Sequence, residues 1–160
     1  MHRFLLSLVL LVVPAPMLLA QASLSCPMRP STLDAMRHCY RPLIIFSPSP
    51  TDARLKRQGA ILDAAADDMM DRFVMLTPII PDRQRYSAPL DTPYVVPSER
   101  EMQSIRARFH VARGKFEVLL LDEDGRILVR SDRPIGIARI NTRIDDLPQR
   151  RIEMRRKDAY

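Results

Sequence analysis

The chain has 160 residues, of which 46% are hydrophobic, and its formal net charge is +6. This length suits one domain with a real hydrophobic core, and nothing in the sequence indicates a second domain. The excess charge is mild and spread along the chain, except for a basic group in residues 150–157, which argues against nucleic acid as the main partner. A solvated basic helix face is the simplest interpretation of that group, with anionic lipid, lipopolysaccharide or nucleic acid as the alternatives.

The N-terminus has the pattern of a secretory signal peptide. A positively charged start precedes an apolar run over residues 4–13, which two prolines and then small residues follow. The run is shorter than the roughly 20 residues that a membrane-spanning helix needs. The sequence therefore predicts a signal peptide over residues 1–22, cleavage after Ala22, no transmembrane helix, and a periplasmic or extracellular location. The alternative is lipidation at Cys26, but Leu24 stands one place too close to that cysteine for the usual motif.

Both cysteines, Cys26 and Cys39, remain after signal cleavage. In an exported chain, two cysteines predict a disulfide, and this one would close a loop of about 14 residues and contribute about 3 kcal/mol. The bond would tie a lead-in segment, residues 23–40, to the domain that follows. The alternative is a pair that exchanges disulfides with partner proteins.

The first predicted element of the domain is a buried strand over residues 43–46, followed directly by a helix. Ser49 is predicted as the helix N-cap, with Pro50 at the first helical position and Asp52 favoured by the positive end of the helix. The spacing of apolar residues predicts that this helix continues to about Asp71.

A second strand is predicted over residues 73–80, and a long surface loop over residues 81–97. Ser98 and Glu101 form a capping-box pattern that opens a second helix. Residues 112–114 are expected to end it.

The sequence predicts an antiparallel hairpin of residues 116–121 with residues 126–130, in which Gly125 takes a positive φ. A final helical region covers about residues 142–156, with Pro148 at the start of its main helix. The order βαβαββα predicts an α/β, thioredoxin-like three-layer fold with a mixed central sheet.

Three motifs, in residues 41–49, 119–125 and 144–154, together resemble the bacterial P-DUDES family. This is a family of unknown function with a thioredoxin-like, peroxiredoxin-related fold, and its distant relatives are the extracellular matrix proteins equarin and the sushi-repeat proteins. The resemblance covers about residues 40–157, and the domain is placed at residues 41–157. It implies an exported fold without settled chemistry, and it supplies no catalytic residues.

The turn after the first strand is where a thiol oxidoreductase of this fold needs its thiolate. In this chain the turn, residues 47–51, contains hydroxyls and prolines and no cysteine. Cys39 lies before the strand, and the eight residues up to Ser47 span about 26 Å when extended, which places it near the opposite edge of the sheet. A thioredoxin-type or peroxiredoxin-type mechanism is therefore not predicted, and no residue is assigned a catalytic role.

Four residues at this turn are candidates for binding an anion or another ligand: Ser47, Ser49, Thr51 and Arg54. The hydroxyls and free amides surround a helix N-terminus, and ligand sites in open α/β sheets lie beyond the carboxyl ends of the strands. The alternative is that Ser49 only caps the helix and Arg54 is ordinary surface charge.

No metal or cofactor is predicted. A soft-metal site would need Cys26, His38 and Cys39 together, and it would compete with the disulfide. The favoured function is therefore a non-enzymatic, exported thioredoxin-like protein that binds another protein or an envelope component. The alternative is a redox-linked protein that exchanges the Cys26–Cys39 disulfide.

Overall fold

The computed structural model describes residues 26–157, so the predicted signal peptide over residues 1–22 lies outside the described residues. In this part of the chain the strands are β1 Arg41–Phe46, β2 Val74–Ile79, β3 Glu117–Leu121 and β4 Ile127–Ser131. The helices are α1 Leu33–Met36, α2 Ala53–Asp63, α3 Ala66–Asp71, α4 Glu99–Phe109, α5 Ile137–Asp145 and α6 Pro148–Lys157.

The four strands form one mixed sheet in the order β2-β1-β3-β4. β1 runs parallel to β2 and antiparallel to β3, and β3 and β4 form the predicted antiparallel hairpin. Every residue of β1 and β2 is buried. For β1, this is what an apolar run covered on both faces predicts. The predicted thioredoxin-like α/β fold with a mixed central sheet is confirmed.

Each face of the sheet has its own core, because alternate residues of a strand point to opposite faces. On one face, Leu43 and Ile45 pack in a cluster with side chains of α2, α3 and α5. On the other face, Ile44 and Phe46 pack with side chains of α1 and α4. The two clusters give the fold its three layers.

The N-terminus of α2 differs from the prediction. Asp52 is the N-cap, and its Oδ1 accepts a hydrogen bond of 2.8 Å from the Arg54 amide. The Ser49 hydroxyl instead lies 3.3 Å from the Thr51 hydroxyl. The prediction of Ser49 as the cap is wrong, because the chain turns once more before the helix and a carboxylate is the stronger acceptor for the amides there.

The sequence predicted one helix that continues to about Asp71, but the structure has two helices there, α2 and α3. Ala65, with φ −134° and ψ 35°, leaves the helical region between α2 and α3. Asp67 and Asp68 then lie in the first turn of α3, where the positive end of a new helix favours them.

The capping box is half formed. Ser98 Oγ accepts a hydrogen bond of 3.2 Å from the Glu101 amide, as predicted. Glu101 does not return the bond, because its Oε1 accepts a 3.1 Å hydrogen bond from the Leu33 amide. A group that was expected to act within α4 therefore ties α1 to α4.

Other boundaries shift with the tertiary structure. α4 ends at Phe109, since His110 takes a left-handed conformation with φ 55°. The final helical region begins at Ile137 rather than about residue 142, and Pro148 starts its second helix as predicted. Gly125 has the expected positive φ of 83°.

The segment predicted as a loop over residues 81–97 has structure of its own. It contains a 3-10 turn, Arg83–Arg85, and it returns to the outer edge of β2. There the Leu76 amide donates to the Pro93 carbonyl and the Val95 amide donates to the Leu76 carbonyl, each at 2.9 Å. These bonds cover a sheet edge that would otherwise be open to other chains.

No helix within residues 26–157 has the length and apolar character to cross a membrane.

Candidate functional site

The turn in which a redox thiol was expected, residues 47–51, begins with Ser47, directly after β1. Its side chain is fully buried. Its hydroxyl donates to the Ser49 carbonyl at 2.9 Å, and its amide donates to the Ile79 carbonyl at 3.2 Å. Ser47 thus fastens the turn to β2, and its hydroxyl proton is already committed to a backbone acceptor.

Arg54 is paired within its own turn. Its guanidinium donates two hydrogen bonds to the Asp52 carboxylate, at 3.0 and 2.7 Å, and lies 4.8 Å from the centre of the Phe116 ring. Hydrogen bonding by Arg54 lowers the pKa of Asp52. The positive charge of Arg54, which was predicted to bind a ligand, is therefore already paired with Asp52.

The four predicted ligand residues do not share one cavity. Ser47 lines a cavity of about 200 Å3 at the carboxyl ends of β1 and β2. Thr51 lines a different one, of about 410 Å3, between α2 and the segment around Tyr86. Burial, and then the nearby Tyr94, raises the pKa of Tyr86 in this second cavity to about 12.

We call the first space the Arg106 cavity. It is lined by Ser47, Pro48, Ile79, Ile80, Pro81, Glu99, Met102, Gln103, Arg106, Arg113 and Gly114. The sheet contributes the floor from the ends of β1 and β2, and α4 contributes one wall.

Arg106 is the charged group set deepest in this cavity. Its guanidinium donates to the Ile79 carbonyl at 3.0 Å and to the Ala112 carbonyl at 3.4 Å, and it lies 5.3 Å from the centre of the Phe46 ring. Within the described residues, no carboxylate forms an ion pair with it. Burial, and then repulsion from Arg113, lowers the pKa of Arg106 against the attraction of Glu99. The sequence analysis missed this residue, although it follows the buried Ile105 on the apolar stripe of α4.

The cysteines lie at the other end of β1. Cys26 and Cys39 form the predicted disulfide, with their Cα atoms 5.5 Å apart. The Tyr40 hydroxyl donates to the Pro27 carbonyl at 2.7 Å and reinforces the same connection. β1 has six residues and so separates the disulfide from Ser47 by about 20 Å of extended chain.

The disulfide also involves the two sulfur atoms of the metal alternative. Both sulfurs are bonded to each other, so the thiolate ligands of a Cys26, His38 and Cys39 site are not available. Within residues 26–157, no three His, Cys, Asp or Glu side chains are grouped as metal ligands would be.

A buried ionic cluster lies at this same end of the sheet, and the sequence analysis did not find it. Arg41, the fully buried first residue of β1, contacts the carboxylates of Glu123 and Glu153, each at 2.7 Å. It also donates to the Arg72 carbonyl at 2.8 Å. Arg150 of α6 joins the cluster through Glu153, at 3.3 Å. The cluster holds α6 against the sheet and the hairpin turn.

The pKa values of the two carboxyls in this cluster are shifted in opposite directions. Burial, opposed by the charge of Arg41 and aided by the neighbouring Glu153, raises the pKa of Glu123 to about 7. For Glu153, burial opposes ionisation, but hydrogen bonds and charge from Arg41 prevail and lower its pKa. The pair thus prefers to hold one proton, and that proton belongs on Glu123.

This proton makes stability depend on pH. Because the pKa of Glu123 is raised on folding, its contribution is present in full below its ordinary pKa of 4.5 and is lost as the pH rises through about 7. We expect Glu123→Gln to reduce the loss of stability between about pH 5 and pH 8 by about 1–2 kcal/mol, in urea unfolding at both pH values. Asp67→Asn, which removes an exposed carboxylate of α3, is the control. Equal pH dependence in wild type and Glu123→Gln would contradict the shared proton.

Comparison with known proteins adds the family. Residues 32–153 match the family described as Domain of unknown function (DUF4174). The chain belongs to this family. No curated protein matches it.

Solved structures similar to this DUF4174 domain share its fold. Plasmodium yoelii Prx1a has 17% identity and a TM-score of 0.56, over 75% of this chain and 80% of that one. Plasmodium vivax 2-Cys peroxiredoxin has 15% identity and a TM-score of 0.54, over 80% and 85%. The exposed lipoprotein thioredoxin of Streptococcus pneumoniae has 11% identity and a TM-score of 0.52, over 72% and 90%. At these identities the likeness shows a thioredoxin-like fold.

Proposed function

We propose that this DUF4174 domain is an exported, non-enzymatic binding protein of the cell envelope, built on a thioredoxin-like fold without the redox-site cysteine. One observation carries the proposal: the turn after β1 holds Ser47, whose buried hydroxyl is bonded to the backbone, where a thiolate would be needed. Its partner is a protein or an envelope component.

Export is part of the proposal. The pattern of residues 1–22 is that of a signal peptide, followed by the lead-in of residues 23–40 and the domain of residues 41–157. The Cys26–Cys39 disulfide suits an oxidising compartment, where such bonds persist. The similar fold in Streptococcus pneumoniae is named as an exposed lipoprotein. We also propose that the chain belongs with the P-DUDES group, on the three motifs given above.

The alternative function is disulfide exchange with partners. It is favoured by the position of Cys26, which is exposed on the N-terminal segment and open to attack by a partner's thiolate.

The experiment that separates the two functions measures the disulfide itself. The mature chain, from residue 23, is equilibrated with glutathione buffers, and the bond is followed by alkylation and intact mass. We expect a potential well below the glutathione range, as structural disulfides have, with no turnover in insulin-reduction or peroxide-consumption assays. A potential near the compartment poise, with turnover that the Cys26→Ser/Cys39→Ser variant loses, would overturn the binding proposal in favour of exchange.

A further inference from the structure

We propose that the Arg106 cavity binds a small organic carboxylate that carries a short apolar group. This inference rests on the proposed binding function and names a ligand class for it. The site differs from the turn of Ser49, Thr51 and Arg54, where Asp52 already pairs with the arginine.

The position of the cavity favours a ligand site. It opens beyond the carboxyl ends of the parallel strands β1 and β2, where ligands of open α/β sheets bind. Its volume of about 200 Å3 lies below the range of about 300–1,000 Å3 that is typical of sites for drug-sized ligands. A ligand of a few heavy atoms is the class that fits.

Arg106 supplies the anion-binding group. A guanidinium has five N–H donors, and two hydrogen bonds to carbonyls account for only part of them. A half-buried cation that forms no direct ion pair among the described residues, and that Glu99 attracts without contact, is held at a cost in solvation. A bound carboxylate would offset that cost and match the planar fork of the guanidinium with two parallel hydrogen bonds.

The other charges of the cavity select a monoanion. Arg113 adds a second positive group at the rim, and Glu99 adds one negative group, whose Oε1 accepts a 3.3 Å hydrogen bond from Gln103. Two arginines against one glutamate leave a single net positive charge in the lining. This charge neutralises a monocarboxylate but leaves one charge of a phosphate dianion uncompensated, and that charge would lose solvation in a partly apolar cavity.

The apolar walls specify the rest of the ligand. Ile80 and Met102 are almost completely buried and line the same space as Arg106. An aliphatic group of the ligand would leave water and contact these side chains, and Met102 adapts readily to its shape. A carboxylate with a branched or short aliphatic chain therefore fits better than a purely polar anion.

The test is an NMR titration of the mature full chain with isobutyrate, isobutyramide and inorganic phosphate. We expect isobutyrate to shift the amide signals of residues around the cavity, with a dissociation constant of millimolar order for so small a ligand. Isobutyramide, which has the same shape without the charge, should bind at least about tenfold more weakly, and so should phosphate.

Two variants and a matched control test which positive charge binds the carboxylate. Arg106→Gln should weaken isobutyrate binding about tenfold or more, and Arg113→Gln about threefold. Lys115→Gln removes a positive charge two residues from Arg113, on an exposed side chain outside the cavity lining, and should leave the affinity unchanged. If Arg106→Gln does not fold, the test is whether Arg113→Gln binds isobutyrate more weakly than Lys115→Gln does.

Several results would overturn the site: equal binding of isobutyrate and isobutyramide, tighter binding of phosphate, shifts away from the cavity, or equal loss in Arg113→Gln and Lys115→Gln. Failure here is distinguishable from failure of the proposed function, because the disulfide potential is measured separately. An inert disulfide without a response to isobutyrate would overturn only the carboxylate site. A response to isobutyrate in a protein that turns over disulfides would overturn only the non-enzymatic assignment.

Discussion

Arg41→Met is expected to lower the free energy of unfolding by about 3–5 kcal/mol, the cost of removing one partner from a buried ion pair. Arg41 is fully buried and is the cation between Glu123 and Glu153. Methionine fills much of the same volume but leaves the two carboxyls without that counter-charge. Urea unfolding near neutral pH, followed by circular dichroism, measures the change, and the Tm should fall by about 10 °C or more.

A second substitution separates charge from packing. In the double variant Arg41→Met/Glu123→Gln, the side chain facing the new methionine is neutral, so part of the lost stability should return. Arg126→Met is the control, since Arg126 is 77% exposed and its ion pair with Asp124 should contribute about 1 kcal/mol or less. Similar losses in Arg41→Met and Arg126→Met would show that the buried cluster does not hold the C-terminal helix.

The second large effect concerns the disulfide. We expect Cys26→Ser/Cys39→Ser to lose about 3 kcal/mol, because the bond restricts the unfolded chain over the loop that it closes. That loop contains α1, whose Leu33 and Met36 are buried in the core on one face of the sheet. Without the bond, α1 should detach more often from α4.

Denaturant unfolding with and without reductant measures this loss. Reductant strong enough to open the bond should bring wild type down to the double variant and leave the double variant unchanged. Amide hydrogen exchange should accelerate most at residues 33–36, with smaller changes in β3 and β4. A double variant that unfolds like wild type, with unchanged exchange in α1, would rule out a structural role for the disulfide.

The sequence predicted correctly those structural features that depend only on neighbouring residues. The apolar run of β1 could be stable only as a buried strand, Gly125 could take the left-handed conformation of the hairpin turn, and Pro148 could only begin a helix. The disulfide followed from two cysteines close in sequence. Each of these features depends on residues within a short stretch of chain.

Competition between nearby groups was harder to predict. Ser49 and Asp52 are both good caps, and only the path of the chain after β1 decided that Asp52 accepts the helix amides. Glu101 has the right spacing to bond its own helix, yet packing brings the amide of Leu33, 68 residues away, to its carboxylate. Propensity describes what a residue can do, and tertiary contacts choose among its options.

The sequence by itself determined the fold class, the disulfide and the absence of a cysteine at the turn after β1, because these depend on local pattern and residue identity. Only the tertiary structure decided which charges meet. Arg41 and Glu153 are 112 residues apart, and Arg106 reaches the end of β2 across 27 residues. The sheet register and the docking of α4 and α6 bring these groups together, and no local sequence pattern encodes the distance between their side chains.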